Sequence, residues 1–236
     1  MFKAIKPIFI DLYCGAGGLS KGLCDAGLEV GAAVEIDPVA ISTYEKNIGI
    51  KVINRDIREV TGKELLTQGN IKKKELFLLA GCAPCQGFSQ IRNKCKGFKD
   101  ERNQLIFEYV RLVNEIQPIF ILMENVPGIM RGVGKEILDN VIDGLSVNYF
   151  IKYNIVNAAD YGVPQIRKRF LLHGIRHDIY KKYYNADGFS LPQRTHGKVG
   201  SGEVQAWETV ERIKDLPSVK AGEECTQQGI TNHVAC

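Results

Sequence analysis

From Ile8 to Ile175, short apolar runs alternate with stretches whose apolar positions recur every three or four residues. That rhythm predicts a mostly parallel sheet with helices on both faces, a doubly wound α/β chain. Ile8-Phe9-Ile10 is the first expected strand. A glycine-rich turn follows, then a helix through Leu19, Leu23 and Ala26 that ends near Gly27. Val30 to Val34 is the second expected strand and Lys51-Val52-Ile53 a short third. Leu76-Phe77-Leu78-Leu79-Ala80 carries no polar residue, which places the fourth strand near the centre of the sheet. Leu105, Tyr109, Leu112 and Ile116 follow one another at steps of four, three and four, one face of a helix that must stop before Pro118. Ile119 to Met123 is a fifth strand. Tyr149 to Val156 and Arg169 to Ile175 are two more, joined through Gly162-Val163-Pro164.

Near Asn185 the pattern fades. Residues 185–236 are polar and glycine-dotted, with one helix expected around Trp207 to Ile213. The chain therefore divides into a patterned part, 1–184, and an irregular extension, 185–236, without a core of its own.

Composition narrows the setting. At 236 residues, 44% hydrophobic and 25% charged, the chain can bury a full core. No apolar run approaches the ~20 residues of a membrane-spanning helix. The segment from Met1 to Ile10 is too short an apolar run for a secretory signal. A reducing cytoplasm is the expected location, and seven cysteines, an odd number, argue against a disulfide framework. The net charge of +4 hints mildly at a polyanionic partner.

Three strand ends carry candidate chemistry. Asp11-Leu12-Tyr13-Cys14-Gly15-Ala16-Gly17-Gly18-Leu19 joins the first strand to the first helix. Glycines there let the backbone approach a ligand, and the helix amino terminus favours a negative group. Glu35 follows Gly15 by twenty residues, where a carboxylate can accept both hydroxyls of a ribose. Asp56 stands just after the third strand, placed to contact an adenine amino group. A tight turn with solvated acids is the plainer reading of these residues. The spacing departs from Gly-x-Gly-x-x-Gly, which disfavours a diphosphate-bearing nicotinamide cofactor. A ligand with a carboxylate suits it better, and S-adenosylmethionine is such a ligand.

Ala80-Gly81-Cys82-Ala83-Pro84-Cys85-Gln86-Gly87 follows the most apolar strand, at the end of a parallel sheet where ligands bind. A turn near a helix start can lower the pKa of a thiol from its usual ~8.5. Cys82 and Cys85 also form a Cys-x-x-Cys, which can signal a redox dithiol or half a zinc site. Neither Cys14, Cys24 nor Cys95 supplies the second close pair that zinc needs. The redox reading leaves the glycine turn and Glu35 unexplained, so no metal is expected and Cys82 is taken as incidental.

Met123-Glu124-Asn125-Val126-Pro127 ends the fifth strand. A carboxyl group emerging from an apolar strand is partly desolvated, which favours its protonated form and a role as an acid. A capping acid is the even alternative, and Asn125 is expected to brace the loop. In Gln165-Ile166-Arg167-Lys168-Arg169, alternation on a strand puts Gln165, Arg167 and Arg169 on one face, able to hold a phosphate or a base carbonyl. Solvated cations on a strand edge are the ordinary alternative. The four histidines show no ligand spacing.

These motifs, in this order, resemble the cytosine-5 DNA methyltransferase family. Lys96 to Arg102 and Ala159 to Pro164 also look like family segments, and the resemblance covers roughly residues 8–176. It implies a Rossmann-like methyltransferase fold, S-adenosylmethionine as methyl donor, and DNA as the partner, with the target cytosine swung out of the duplex. By the same resemblance, Cys85 adds to C6, Glu124 protonates or hydrogen-bonds N3, Arg167 contacts the base oxygen, and Arg169 holds loop or backbone. Tyr13, Glu35, Ile36, Asp56, Ile57, Pro84 and Leu105 match family positions around the cofactor, with Asp11, Gly15, Gly17 and Gly18 in the glycine turn. Family members continue into a target-recognition region and a last motif that returns to the cofactor pocket. Asn232 to Cys236 stops about where that region would begin, so the expectation is a truncated chain completed by a separate carboxy-terminal region or subunit. One branch of the family acts on transfer RNA with nearly the same motifs. A non-catalytic nucleic-acid-binding subunit is the alternative from another class, although it would have no use for Cys85 or Glu124.

Overall fold

Strand β1 (Ile8–Leu12) shows why the fold forms. Ile10 and Leu12 point into one core, Phe9 into another, and all are shielded from water. A strand covered on both sides needs helices on both faces, and the chain supplies them in turn. The computed structural model describes residues 6–84, 101–183, 189–199, 204–209 and 211. By their contacts they fall into two units, one drawn from 1–155 with 170–190 and one from 156–169 with 191–236.

The sheet has seven strands in the order β3-β2-β1-β4-β5-β7-β6. These are β2 (Glu29–Glu35), β3 (Ile53–Asn54), β4 (Leu78–Gly81), β5 (Phe120–Asn125), β6 (Tyr149–Asn157) and β7 (Lys168–Arg176). β1 pairs in parallel with β2 and β4, and β4 with β5, while β7 runs antiparallel to β5. The wholly apolar β4 is the middle strand of the order. Helices α3 (Gly62–Gln68), α4 (Glu101–Ile116) and α5 (Val133–Ser146) contribute Leu65, Leu112 and Val141 to the core that holds Ile10 and Leu12. Helix α1 (Gly18–Asp25) packs Leu19 and Leu23 against Phe9, and α2 (Pro38–Ile48) brings Tyr44 against Cys14 and Ala33. A short α6 (His177–Tyr183) follows β7.

Gln117, in the left-handed region at φ 55°, ends α4 one residue before Pro118. Burial also draws Tyr109 down so that its hydroxyl donates to the Leu79 carbonyl of β4 at 3.2 Å.

Three local expectations need correction. The third strand lies at Ile53–Asn54 and not at Lys51–Ile53, because only Val34 and Glu35 at the end of β2 remain to pair with it. Gln165, Ile166 and Arg167 precede β7 and lie in a turn, so they share no strand face with Arg169. Residues 207–209 are not helical. Trp207 donates its backbone N–H to the Gly197 carbonyl at 2.9 Å, continuing the short parallel pair β8 (His196–Gly197) and β9 (Gln205–Ala206). Glu211 lies in a 3-10 turn, and the remainder of that expected helix lies outside the described residues.

Candidate active site

The turn after β1 is shaped by two left-handed residues. Tyr13 has φ 58°, and Gly17, the residue before α1, has φ 95°. A Cβ on Gly17 would stand 2.9 Å from the Tyr44 ring, so both the conformation and the space demand glycine. Glu35, at the end of β2, holds this turn in place. One carboxylate oxygen accepts from the Gly15 N–H at 3.0 Å, and the other accepts from Ile36 at 2.7 Å and Asp37 at 3.0 Å.

Asp11 lies beneath the turn. Its carboxyl is fully buried and accepts from the Ser20 hydroxyl at 2.6 Å, and Ser20 also shares a hydrogen bond with the Tyr44 hydroxyl at 2.7 Å. The second carboxyl oxygen, Oδ1, has no partner among the described residues. Burial, reinforced by the nearby Glu35 charge and opposed by the Ser20 hydrogen bond, pushes the Asp11 pKa up to about 7. Ser20 and Tyr44 carried no signal in the sequence beyond a hydroxyl on each of two helices.

Beside the turn opens a small cleft of about 90 Å³, continuous with solvent. Tyr13, Val34, Glu35, Ile36, Arg55, Asp56, Ile57, Pro84 and Leu105 line it. Tyr13 of the glycine turn and the six residues outside it that match family positions thus line one space. Asp11, Gly15, Gly17 and Gly18 do not line it. Val34 and Arg55 do, and only their adjacency to Glu35 and Asp56 could have marked them. Arg55 pairs with Glu64 of α3. Asp56 caps a short 3-10 turn (Ile57–Glu59) and accepts from Arg58 Nε at 3.0 Å, a pairing that holds its carboxyl below the usual range. Tyr13 closes one wall: its hydroxyl donates to the Leu105 carbonyl at 2.6 Å.

Cys82 follows β4, with its backbone N–H on the Leu12 carbonyl at 3.3 Å, and Pro84 comes two residues later on the cleft wall. Cys85 lies outside the described residues. Glu124 is half-buried near the end of β5, opposite Leu171 of β7. Asn125, 1% exposed, donates to the Ala83 carbonyl at 3.3 Å and accepts from the Val126 N–H at 2.8 Å. One carboxamide thus joins the turns after β4 and β5.

In the second unit Arg167 is exposed, with its backbone N–H on Asn157 Oδ1 at 3.0 Å. Arg169, half-buried, donates to the Lys168 carbonyl at 2.8 Å. No helix among the described residues is long and apolar enough to cross a membrane, and no three potential metal ligands cluster among them.

The sequence profile described as C-5 cytosine-specific DNA methylase matches residues 8–235. The Type II methyltransferase M.XorII of Xanthomonas oryzae is 41% identical over 175 residues, 72% of this chain and 41% of that protein. M.AquIA, a Type II methyltransferase of Picosynechococcus, is 33% identical over 198 residues, 80% of this chain and 76% of its own length. This chain therefore spans less than half of the first relative and about three quarters of the second. Among solved structures, a prophage-encoded protein of E. coli assigned as a DNA modification methyltransferase superposes with a TM-score of 0.72 at 32% identity, over 92% of this chain and 57% of that one.

Proposed function

The chain belongs to the C-5 cytosine-specific DNA methylase family, and from that membership we propose that it methylates C5 of cytosine in DNA, using S-adenosylmethionine. The observation that carries the proposal is the single cleft formed by Tyr13, Glu35, Ile36, Asp56, Ile57, Pro84 and Leu105 at the strand ends from which the cysteine and glutamate turns emerge.

The lining suits the adenosyl part of this donor. Tyr13, Ile36, Ile57, Pro84 and Leu105 offer apolar walls, and Glu35 and Asp56 offer carboxylate oxygens to hydroxyl and amino donors. Glu35 keeps one acceptor site for a ribose hydroxyl, since a carboxylate has about four lone-pair sites and backbone N–H groups take three. S-adenosylmethionine, when bound there, would supply the methyl group as an electrophile, its sulfonium sulfur keeping the electron pair of the broken S–CH3 bond and leaving as a neutral thioether.

The remaining chemistry belongs to side chains of this chain acting on the extruded base. The Cys85 thiolate forms a bond to C6, and Glu124 gives a proton or hydrogen bond to N3 to stabilise the charge that develops. C5 becomes nucleophilic and takes the methyl group. Loss of the C5 proton to a base then breaks the C6–sulfur bond and returns the thiolate, so one difficult step becomes two easier ones. Arg167 meets the base oxygen and Arg169 steadies the backbone beside it. Sequence preference and full rate require a target-recognition region, in the same chain or another.

Tritium transfer from labelled S-adenosylmethionine to duplex DNA, with transfer RNA as the second substrate, tests the function. Cys85→Ala should abolish transfer and remove covalent trapping by a 5-fluorocytosine duplex, while Cys82→Ala should do neither. Equal inactivity of a folded Cys82→Ala would bring back a redox or metal role for the pair. Transfer to RNA alone would move the substrate to the transfer-RNA branch.

A further inference from the structure

Asn157 and Asp160 form a chain of hydrogen bonds under the turn that carries Arg167. The turn is closed by the Ala158 N–H on the Arg167 carbonyl at 2.9 Å and by the Arg167 N–H on Asn157 Oδ1 at 3.0 Å. The other end of the Asn157 carboxamide, Nδ2, donates to Asp160 Oδ1 at 3.5 Å. An amide can face this pair only one way round, because reversing it would set its N–H₂ against the Arg167 N–H and its oxygen against a carboxylate. Asp160 therefore sets the orientation of Asn157, and Asn157 sets the backbone of Arg167. Both are buried, at 7% and 9% exposure, so the arrangement is little weakened by solvent.

Asp160 is itself held from the segment 191–209. The Trp207 indole N–H donates to Oδ1 at 3.0 Å, Arg194 Nε lies 3.4 Å from Oδ2, and the Thr195 N–H donates to the Asp160 backbone carbonyl at 3.0 Å. His196 lies against Gly162, whose φ of 86° and lack of side chain allow it: a Cβ there would stand 2.9 Å from the imidazole ring. Two strands of two residues, β8 and β9, have little stability alone. The residues that flank them, Arg194, Thr195 and Trp207, tie the segment to Asp160.

We propose that Asp160 is a positioning residue, clasped by Trp207 and Arg194, that orients Asn157 and so fixes Arg167 for its contact with the extruded cytosine. The proposal rests on the reading of Arg167 as the base contact. It assigns Arg194, Thr195 and Trp207 to the machinery of the target base, although the sequence marks none of them as functional.

The test compares full-chain wild type with Asp160→Ala, Asp160→Asn and Arg167→Ala. The probes are two duplexes, one with cytosine opposite an abasic site, where extrusion is easy, and one with cytosine fully paired. Wild type should prefer the first by roughly tenfold or more, and both Asp160→Ala and Arg167→Ala should lose that preference while keeping wild-type affinity for S-adenosylmethionine. Asp160→Asn should retain it, since its amide oxygen still accepts from Trp207. Trp207 is the only tryptophan, and its emission should shift in Asp160→Ala and not in Arg167→Ala. Full preference in Asp160→Ala with loss in Arg167→Ala would overturn the proposal and leave the Arg167 reading standing. Loss of cofactor affinity together with the preference in Asp160→Ala would also overturn it, by showing a merely structural role. Full preference in Arg167→Ala, or none in wild type, would overturn the Arg167 reading itself.

Discussion

The Tyr13 hydroxyl donates to the Leu105 carbonyl at 2.6 Å, joining the turn after β1 to α4 at the wall of the cleft that both residues line. Burial, with Glu108 adding to it, pushes the phenol far above its ordinary pKa, so the O–H remains a donor at any working pH. Tyr13→Phe keeps the ring and removes only this bond, whose net contribution is ~0.5–1.5 kcal/mol. If the bond holds the wall ready for a ligand, S-adenosylmethionine should bind roughly two- to tenfold more weakly. Calorimetry decides it: an identical dissociation constant would mean that the two elements are held together without this contact.

Glu35 makes a sharper case, because the closest replacement fails for a stated reason. Its two oxygens accept from Gly15 on one side and from Ile36 and Asp37 on the other. A glutamine has one oxygen and one N–H₂, so Glu35→Gln must set donor against donor on one side. Bonds to charged groups contribute ~1.5–3 kcal/mol, so Glu35→Gln should lose roughly ten- to a hundredfold in affinity for S-adenosylmethionine, nearly as much as Glu35→Ala. A Glu35→Gln protein that binds like wild type would show that charge and both acceptors are dispensable.

The parts of the fold legible in the sequence are those where burial leaves a local signature. β4 shows as an unbroken apolar run because it is covered on both faces, and α4 as Leu105, Tyr109, Leu112 and Ile116 because one stripe faces the core. Helix α2 escaped because only Ile41 and Tyr44 are buried on it, and α3 because seven residues make too short a period. α5 does carry a stripe, Ile137, Leu138, Val141 and Leu145, but Gly134 and Gly144 lower its helix propensity. Alternation in Gln165 to Arg169 suggested a strand, yet the Ala158–Arg167 bond closes a turn there, a tertiary fact with no period. Of the cleft residues, Glu35 and Asp56 were legible from their places after two expected strands, whereas Tyr13, Ile36, Ile57, Pro84 and Leu105, the last on α4, were marked only by the family resemblance. The Asp11–Ser20–Tyr44 cluster was not, since nothing local tells a buried acid from a solvated one.

That cluster predicts an unusual pH response. Asp11 has a folded pKa of about 7, above the 3.8 of an ordinary aspartate. Folding therefore favours the protonated form, and this contribution is complete below the unfolded pKa. It is lost as pH rises from the lower value through the higher one, with a limiting slope of ~1.4 kcal/mol per pH unit. The groups facing the carboxyl are Ser20 of α1, Tyr44 of α2, Glu35 of β2 and Cys14 of the turn, and ionisation of Asp11 adds charge beside Glu35. Asp11→Asn cannot ionise, so wild type should lose stability relative to it between pH 5 and pH 8. Urea denaturation at the two pH values checks this, and parallel behaviour of the two proteins would place the Asp11 pKa near its ordinary value.

Asn125 couples the two turns that carry the proposed chemistry, and its geometry allows the coupling to be separated from simple stability. Nδ2 donates to the Ala83 carbonyl, and Oδ1 accepts from the Val126 N–H, with the side chain almost fully enclosed. Asn125→Asp keeps the shape and the bond to Val126 but turns the donor toward Ala83 into an acceptor, leaving a buried charge facing a carbonyl. Asn125→Ala removes both bonds and strands two backbone groups, at a cost of ~1–3 kcal/mol each where they stay buried. Ala83 and Pro84 lead directly to Cys85, so Asn125→Asp should slow methyl transfer by at least roughly tenfold, the factor of a ~1.4 kcal/mol loss. S-adenosylmethionine affinity should change far less, because among the described residues Ala83, Pro84, Asn125 and Val126 only Pro84 lines the cleft. Single-turnover kinetics with the cofactor saturating isolates the chemical step from binding. A fall in cofactor affinity matching the fall in rate would make Asn125 a brace for the whole cleft, and a wild-type rate in Asn125→Asp would end the claim that it aligns the two turns.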